Sequence, residues 1–233
     1  MINFIDSSSN SKCSINEKFF DSWTHESAYV FGLLITDGSM YIKYDLSGDV
    51  SQYVLSFKSI DRYLVECINT TMSSSYKVSC FKYNECKLGM YYQLSITNVY
   101  ICKKLISLGM VQKKSKVVKF PDFIPDEFMP DFVRGVFDGD GCISFSEKWF
   151  QFKTFICSGS LDFIIGLNDY LYRIGIEGVI RDKYDVYFVN FDYPSAHKFF
   201  SFIYGRLPGG MMYLKRKYDL WVKFSKMKKM KGL

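Results

Sequence analysis

The sequence FVRGVFDGDGCISF at residues 132–145 and the sequence YVFGLLITDGSMYI at residues 29–42 follow one pattern. Each contains a glycine, four further residues, an Asp-Gly pair and then an alternating apolar run. A glycine in the interior of a helix destabilises that helix by about 1 kcal/mol relative to alanine. Because the pattern occurs twice, each time with an acid at the same place, it indicates a shared structural role.

The composition favours one sizeable globular core or two smaller ones, since 48% of the 233 residues are hydrophobic and 23% are charged. Lys and Arg number 30 against 24 Asp and Glu, and this excess favours an anionic partner. The seven cysteines include no C-x-x-C pair and the chain has two histidines, which argues against a zinc site. Reduced thiols fit an intracellular compartment, such as a phage-infected cell, a bacterial cytoplasm or an organelle matrix.

We expect neither a signal peptide nor a membrane-spanning segment. The first residues lack a basic region followed by a long apolar stretch. No apolar run approaches the length of about 18 residues that a spanning helix requires.

The residues in and after each motif predict the same order of elements: helix, strand, strand, helix, strand, strand, helix. In the first copy, helices are predicted at 26–36, 59–72 and 98–108, strands at 39–44 and 50–58, and a hairpin at 76–97. In the second copy, strands are predicted at 142–147 and 150–158, helices at 160–174 and 194–204, and a hairpin at 179–191. The chain is therefore predicted to be an internal duplication that ends in a Lys-rich helix.

Composition along the chain predicts four segments. Residues 1–22 are rich in Ser and Asn and are expected to be loose. A first half at 23–120 and a second half at 131–233 are joined by a Pro-rich linker at 121–130. These bounds keep each motif inside a half of its own.

Local signals in the first half place the ends and faces of its elements. Thr24 is positioned to cap the first helix, and Gly38 is positioned to end it. In the second predicted helix, the apolar residues expected to point inward are Ile60, Leu64, Val65 and Ile68.

Small residues four positions apart lie on one face of each motif helix: Gly32 and Thr36 in the first, Gly135 and Gly139 in the second. Such residues let two helices approach more closely than the usual interaxial distance of about 8–10 Å. If the two helices pack together, Asp37 and Asp140 emerge side by side at their carboxyl ends. Two carboxylates at the negative ends of two helix dipoles repel each other, so the arrangement favours divalent cations between them.

The motif has two other interpretations. A single Asp-Gly pair is more often a helix cap than a catalytic group, and the repetition in matching contexts argues against that view. The segment DGDGCISFSE also approaches the calcium-loop pattern of EF-hands. Cys142 stands where that loop has an acidic ligand, and Ile143 stands where it requires Gly, so this interpretation fails.

The segments VFGLLITDG (30–38) and VRGVFDGDG (133–141) resemble the signature motif of LAGLIDADG homing endonucleases. The first copy departs from it at Ile35 and Thr36, where an acid and Ala are usual. The resemblance extends to GMVQKKSKVVKFP before the second copy and LKRKYD near the end, and it covers residues 23–222. It implies an α+β fold with two pseudo-twofold related αββαββα halves. The motif helices would form the interface, and antiparallel sheets would form a DNA-binding saddle.

The resemblance also implies an activity and a site. It implies a monomer that hydrolyses both strands of a long, partly asymmetric double-stranded DNA target and leaves short 3′ overhangs. Two or more Mg²⁺ ions would lie between Asp37 and Asp140 with help from the carbonyls of Thr36 and Gly139. Mn²⁺ would substitute, and Ca²⁺ would bind without cleavage. The gene of such an enzyme is commonly carried by an intron, which the enzyme helps to spread.

A basic residue is expected near each phosphate to be cut. In the first half the resemblance points to Lys114. In the second half Lys215, Arg216 and Lys217 are all candidates. Lys217 is preferred, because it lies as far along the chain from Asp140 as Lys114 lies from Asp37, and Lys215 is the alternative. A Lys-rich terminal helix could also be no more than a solvated face.

Strand alternation predicts which side chains face the DNA. In the first half these are Lys43, Gln52, Ser56, Lys58, Lys77, Lys82 and Gln93. In the second half they are Lys148, Gln151, Lys153, Arg181 and Lys183. Any one of them could be an ordinary solvent-facing residue, but the set favours a nucleic-acid surface.

Two functions of other classes remain open. One is an RNA maturase that binds intron RNA and assists splicing. The other is a DNA-binding regulator with the same fold that does not cleave. The presence of both Asp residues and of a Lys at each matching position favours the nuclease.

Overall fold

A computed structural model of the chain describes residues 13–82, 89–205 and 212–230. The first half contains α1 (His25–Thr36), β1 (Gly38–Tyr44), β2 (Val50–Ser59), α2 (Arg62–Thr71), β3 (Val78–Lys82), β4 (Met90–Thr97) and α3 (Val99–Ser107). The second half contains α4 (Met129–Asp140), β5 (Gly141–Ser146), β6 (Gln151–Ser158), α5 (Leu161–Arg173), β7 (Val179–Lys183), β8 (Val186–Phe191) and α6 (Tyr193–Tyr204). A short 3₁₀ helix (Lys114–Lys116) follows α3, and α7 (Lys215–Met230) follows α6. No helix within these described ranges is long and apolar enough to cross a membrane.

Each half has one four-stranded antiparallel sheet with the same topology. The strand order is β1-β2-β4-β3 in the first sheet and β5-β6-β8-β7 in the second. The predicted α+β class and the two αββαββα halves are confirmed, and each element lies within a few residues of its predicted bounds. Part of the hairpin predicted at 76–97 lies outside the described residues.

Helix α1 begins and ends where the sequence predicts, for identifiable reasons. The Ser27 amide donates a 3.1 Å hydrogen bond to Oγ1 of Thr24, and the Ser27 hydroxyl accepts from the Thr24 amide in return. At the other end, a Cβ on Gly38 would lie 2.5 Å from the carbonyl oxygen of Leu34. Only glycine therefore fits directly after Asp37, which fixes where the acid leaves the helix.

The core lies where the motif helices meet the inner faces of the two sheets. In α2, Leu64, Val65 and Ile68 are buried as predicted. Ile60 is 49% exposed, so its predicted inward position is wrong. The helix starts only at Arg62, and Ile60 lies in the turn before it.

Two predicted segments differ in the structure. Residues 13–22, expected to be loose, are held to the rest of the chain at two points: Phe20 is 4% exposed, and the Asn16 amide donates to the carbonyl of Met72 at 3.0 Å. Residues 1–12 lie outside the described part of the chain. Helix α4 starts at Met129, inside the segment 121–130 predicted as linker, with a proline in its first turn.

Helix α7 is held against the second half by stacked aromatic rings. The ring centroids of Phe152 and Phe224 lie 4.2 Å apart, and those of Phe200 and Trp221 lie 4.4 Å apart. This packing fixes the orientation of the first turn of α7, which contains the basic residues predicted for the site.

Candidate active site

Helices α1 and α4 touch through their backbones. A Cβ added to Gly32 would lie 2.3 Å from the carbonyl oxygen of Phe132, and one added to Gly135 would lie 2.2 Å from that of Tyr29. A Cβ on Gly139 would lie 2.0 Å from Oγ1 of Thr36. The four small residues predicted to form the helix interface therefore lie in it, and side chains at the glycines would force the helices apart.

The contact brings Asp37 and Asp140 together at the ends of the two helices. Asp37 follows α1, with its amide bonded to the carbonyl of Leu33 at 2.9 Å, and Asp140 is the last residue of α4. Burial raises the pKa of Asp37. Burial, assisted by the negative charge of Asp37, raises the pKa of Asp140 to about 6. Both carboxyl groups therefore lie in a setting that disfavours negative charge unless cations compensate it.

Lys114 lies beside the two acids. Its side chain is nearly buried, and its Nζ donates a 2.6 Å hydrogen bond to the carbonyl oxygen of Thr36, the residue before Asp37. Burial lowers the pKa of Lys114, and the charges of Asp140 and Asp37 act in the opposite direction. The 3₁₀ turn presents this lysine to the helix end from the segment after α3.

Lys217 occupies the corresponding position in the second half. It is 3% exposed, and its Nζ donates to the carbonyl oxygens of Phe137 at 2.6 Å, Asp138 at 2.9 Å and Gly141 at 2.5 Å. These three bonds leave out the carbonyl of Gly139. Burial lowers the pKa of Lys217 to about 8. Lys215, the alternative candidate, is exposed and pairs with Asp219, so the structure places Lys217 and not Lys215 at the acids.

A buried carboxylate that sequence reasoning had not assigned holds the start of α7. Oδ2 of Asp138 accepts hydrogen bonds from the hydroxyl of Tyr29 and from the amide of Leu214, both at 2.8 Å. Oδ1 has no hydrogen-bond partner within the described residues. Burial raises the pKa of Asp138 to about 6. Asp138 thus ties α1, α4 and the segment before Lys217 to one another.

Arg134 anchors the same segment from the adjacent turn of α4. Its side chain is buried, and it donates to the carbonyl oxygens of Met212 and Ile203 at 3.0 Å each. It also pairs with Asp131 at 2.5 Å, and Asp131 contacts Nδ1 of His25 at 2.7 Å. The motif contained a signal for this network, since Arg134 and Asp138 are charged residues among the apolar residues of a helix predicted to lie in the interface.

Two cavities of similar size lie on either side of the helix ends. One, of about 220 Å³, is lined by Asp37, Gly139 and residues that include Lys58, Asp61 and Arg216. The other, of about 240 Å³, is lined by Asp140, Thr36 and residues that include Lys114, Cys157 and Ser158. Each cavity thus combines one of the two motif acids, Asp37 or Asp140, with the residue that precedes the other, as a pair of equivalent sites would.

Solved structures share this architecture. The homing endonuclease I-DmoI in complex with DNA and Mn is 16% identical over 79% of this chain and 98% of its own, with a TM-score of 0.56. The LAGLIDADG meganuclease I-AabMI bound to uncleaved DNA is 16% identical over 87% of this chain and 91% of its own, with a TM-score of 0.59. The chain has the LAGLIDADG fold. No protein-family model and no curated protein matches the sequence.

A third solved structure shares the LAGLIDADG fold. The N-terminal LAGLIDADG domain of DUF199/WhiA is 14% identical over 88% of this chain and 93% of its own, with a TM-score of 0.52. At such identities the comparisons establish the fold that this chain shares with each of the three.

The oxygen atoms at the LAGLIDADG helix ends fit a hard divalent cation. Carboxylate and backbone carbonyl oxygens are the ligands that Mg²⁺ and Ca²⁺ prefer. Lys114 donates to the carbonyl of Thr36, whose second lone pair remains able to bind a cation. No group of three or more His, Cys, Asp or Glu side chains in the described ranges could hold a metal ion. A metal here would therefore need backbone, water or phosphate oxygens besides the two acids.

The outer face of the second LAGLIDADG sheet carries the side chains predicted there. Gln151 and Lys153 alternate with core residues along β6, and Arg181 and Lys183 lie on the same face of β7, all four exposed. Lys148 is exposed in the turn between β5 and β6, with its Nζ 4.9 Å from the ring centre of Trp149.

The first LAGLIDADG sheet requires one correction. Lys43, Gln52 and Lys58 share its outer face and are exposed, Gln93 shares it and is half-buried, and Lys77 is exposed just before β3. Ser56 is on that face but 3% exposed, because Nε2 of Gln93 covers it and donates to its hydroxyl at 3.1 Å. Lys82 pairs with Met90, which puts it on the opposite face. The predicted outer-face position is therefore confirmed for Ser56, although its side chain is covered, and is wrong for Lys82.

Proposed function

We propose that this protein is a site-specific DNA endonuclease that cuts both strands of a duplex at the junction of its two halves. The observation that carries the proposal is the doubled centre, in which Asp37 and Asp140 lie together and Lys114 and Lys217 are each buried beside them. Burying a charged lysine costs free energy. A pair of buried lysines beside two acids is therefore better explained by catalysis than by a structural role.

The chain's own residues have distinct roles in this reaction. Asp37, Asp140 and the carbonyls of Thr36 and Gly139 would hold divalent cations; the I-DmoI structures with Mn, Mg and Ca support this choice. When bound, such cations supply an activated water and neutralise charge on the leaving oxygen. The ammonium groups of Lys114 and Lys217 place positive charge where the phosphate gains negative charge.

The two outer sheet faces would bind the duplex on either side of the cut. Strand side chains such as Gln151, Lys153 and Arg181 can reach base edges and phosphates in the major groove. Because the two faces differ in sequence, we propose that the target is long and partly asymmetric. We further propose an intron-encoded enzyme that acts as a monomer inside a reducing compartment and leaves short 3′ overhangs. The DNA in the I-DmoI and I-AabMI structures supports a duplex ligand.

A non-cleaving nucleic-acid binder is the second candidate, as a DNA-binding regulator or as a maturase of intron RNA. The likeness to the N-terminal LAGLIDADG domain of DUF199/WhiA supports this candidate, because that structure carries the fold and is not named as a nuclease. Both acids and both lysines at the helix ends of this chain favour the nuclease.

Plasmid cleavage tests the proposal. The substrate is the intronless sequence joined across the insertion point of the gene's own intron, and the divalent ion is Mg²⁺, Mn²⁺ or Ca²⁺, with EDTA as the blank. We expect linear product with Mg²⁺, none with Ca²⁺ and none from Asp140→Asn. Tight binding in Ca²⁺ with no cutting in Mg²⁺ would refute the nuclease function and support the non-cleaving nucleic-acid binder.

A further inference from the structure

The two cavities beside the acids differ in charge. Besides Asp37, the first cavity is lined by two cationic side chains, Lys58 and Arg216, and by two further carboxylates, Asp138 and the Asp61 that pairs with Arg216. Besides Asp140, the second cavity is lined by one cationic side chain, Lys114, and by neutral side chains. The two cavities therefore contain equivalent acids, Asp37 and Asp140, but differ in the other charged side chains that line them.

Strand pairing shows that Lys58 and Cys157 are equivalent positions. Phe57 pairs with Gly38, so the next residue, Lys58, lies across from Asp37. Ile156 pairs with Gly141, so Cys157 lies across from Asp140, and its Sγ donates to the Asp140 carbonyl at 3.2 Å. The first half thus has an ammonium group at this position and the second half a thiol.

Arg216 belongs to the second half but reaches the cavity of the first. Its Nε donates to Oδ2 of Asp61 at 3.2 Å, which joins the first turn of α7 to the start of α2. Asp61 is the N-terminal cap residue of α2, yet its side chain makes no capping hydrogen bond. The Asp61 carboxylate is therefore used to hold the arginine and not to cap the helix.

Arg216 has no counterpart at the other cavity. Since Lys217 corresponds to Lys114, the residue corresponding to Arg216 is Lys113. Lys113 has a left-handed backbone with φ of 52° and does not belong to the wall of the cavity at Asp140. The guanidinium is thus a feature of one cavity only.

We infer that Arg216, positioned by Asp61, contacts the phosphate to be cut beside Asp37, and that this strand is cut before the other. The inference rests on the proposed nuclease function. A guanidinium binds phosphate through two parallel hydrogen bonds. The ion pair it makes now is a weak one, because the side chains of Arg216 and Asp61 are 55% and 24% exposed. A phosphate can therefore take the place of Asp61 without a large loss.

Single-turnover cleavage with a different label on each strand tests this inference. Saturating enzyme and Mg²⁺ remove effects on binding. We expect the wild-type protein to accumulate DNA nicked in one particular strand. Arg216→Gln should slow the cut in that strand about 10- to 100-fold and change the other cut less than about twofold, and Arg216→Lys should restore part of the rate.

Lys215→Ala is the matched control. It also removes a cation and an ion pair from the first turn of α7, but Lys215 does not line the cavity at Asp37. Both rates should stay unchanged in this variant. Asp61→Asn keeps Arg216 but removes the carboxylate charge that holds it. This variant should slow the cut in the same strand, by less than Arg216→Gln does.

Each remaining outcome has one meaning. Equal rates for the two strands in the wild-type protein would overturn the inference, as would an Arg216→Gln variant that slows both strands alike or neither. In all of these cases the nuclease function would stand. A wild-type protein that cuts neither strand would refute the nuclease function itself.

Discussion

The hydroxyl of Tyr29 in α1 donates a 2.8 Å hydrogen bond to Oδ2 of Asp138 in α4, across the buried interface of the two helices. The same oxygen accepts the amide of Leu214, one residue before α7 begins. The bond therefore links the packing of the motif helices to the segment that delivers Lys217 to the acids.

Tyr29→Phe should lower the free energy of unfolding by about 1–3 kcal/mol, because it removes a donor from a buried carboxylate. Urea denaturation measures this change. Tyr100→Phe is the control, since Tyr100 makes the same type of bond to Asp21 at the surface and should cost less than about 0.5 kcal/mol. Equal losses in the two variants would contradict a special role for the buried bond.

Asp138 should make stability depend on pH in a defined window. Burial raises its pKa from 3.8 to about 6, so the folded chain binds this proton more tightly than the unfolded chain does. The stabilising proton is present in both states below pH 4 and is lost from the folded protein as pH rises to about 6. Relative to Asp138→Asn, the wild-type protein should thus lose about 2–3 kcal/mol between these values and nothing further above them.

Denaturant titrations of both proteins from pH 4 to 8 measure this difference. Asn keeps an oxygen for Tyr29 and for Leu214, so the two proteins share these bonds. Asp21→Asn serves as the control, because it makes the same substitution at an exposed position of the chain. If the wild-type protein instead became more stable relative to Asp138→Asn as the pH rises from 4 to 6, the prediction would be contradicted.

Lys217→Met and Lys114→Met should separate cleavage from binding. Each variant removes an ammonium group beside the phosphate and should slow cleavage about 10²- to 10³-fold. Binding to the target in Ca²⁺ should change less than about threefold, because most phosphate contacts are elsewhere. Lys215→Met, from the exposed side of the same helix turn, should retain full activity. Loss of binding in parallel with cleavage would instead indicate that the buried lysines support the fold.

The sheet faces predict how salt affects DNA binding. Lys153→Ala removes an outer-face cation and should reduce the slope of log K against log salt by about 1. Lys82→Ala removes the same charge from the opposite face of the first sheet and should leave the slope unchanged. Fluorescence anisotropy over a salt series in Ca²⁺ compares the two, and equal slopes would rule out the assigned surface.

The repeated motif predicted the fold because its constraints are local. Glycines at helix contacts and an Asp-Gly helix end are visible in the sequence, and the helix pair follows from them. The errors on the sheet surface concern relations between strands. Ser56 is buried because the side chain of Gln93, which pairs with Lys58 two residues along the strand, covers it. Lys82 lies on the inner face because the pairing of β3 with β4 sets it across from Met90.

In the candidate site too, local features could be predicted from the sequence, and contacts that the fold creates could not. The acids follow from the motif, Lys114 follows from the family resemblance, and spacing favoured Lys217 over Lys215. The role of Asp138 could not be predicted, because its partners Tyr29 and Leu214 are brought to it only by the fold. Arg216 was considered only as a basic residue of the second half, and its place in the cavity at Asp37 could not be predicted, because Asp61 holds it from the other half.

Cys157→Lys should speed the slower of the two strand cuts. The substitution places an ammonium group across from Asp140, as Lys58 is placed across from Asp37, and positive charge there favours the phosphate transition state. We expect the second cut to become about 3- to 10-fold faster and the nicked intermediate to decline. Cys157→Ser is the control, because its hydroxyl keeps a donor to the Asp140 carbonyl and adds no charge. A nicked intermediate that persists in Cys157→Lys at its wild-type level would show that charge at this position does not limit the second cut.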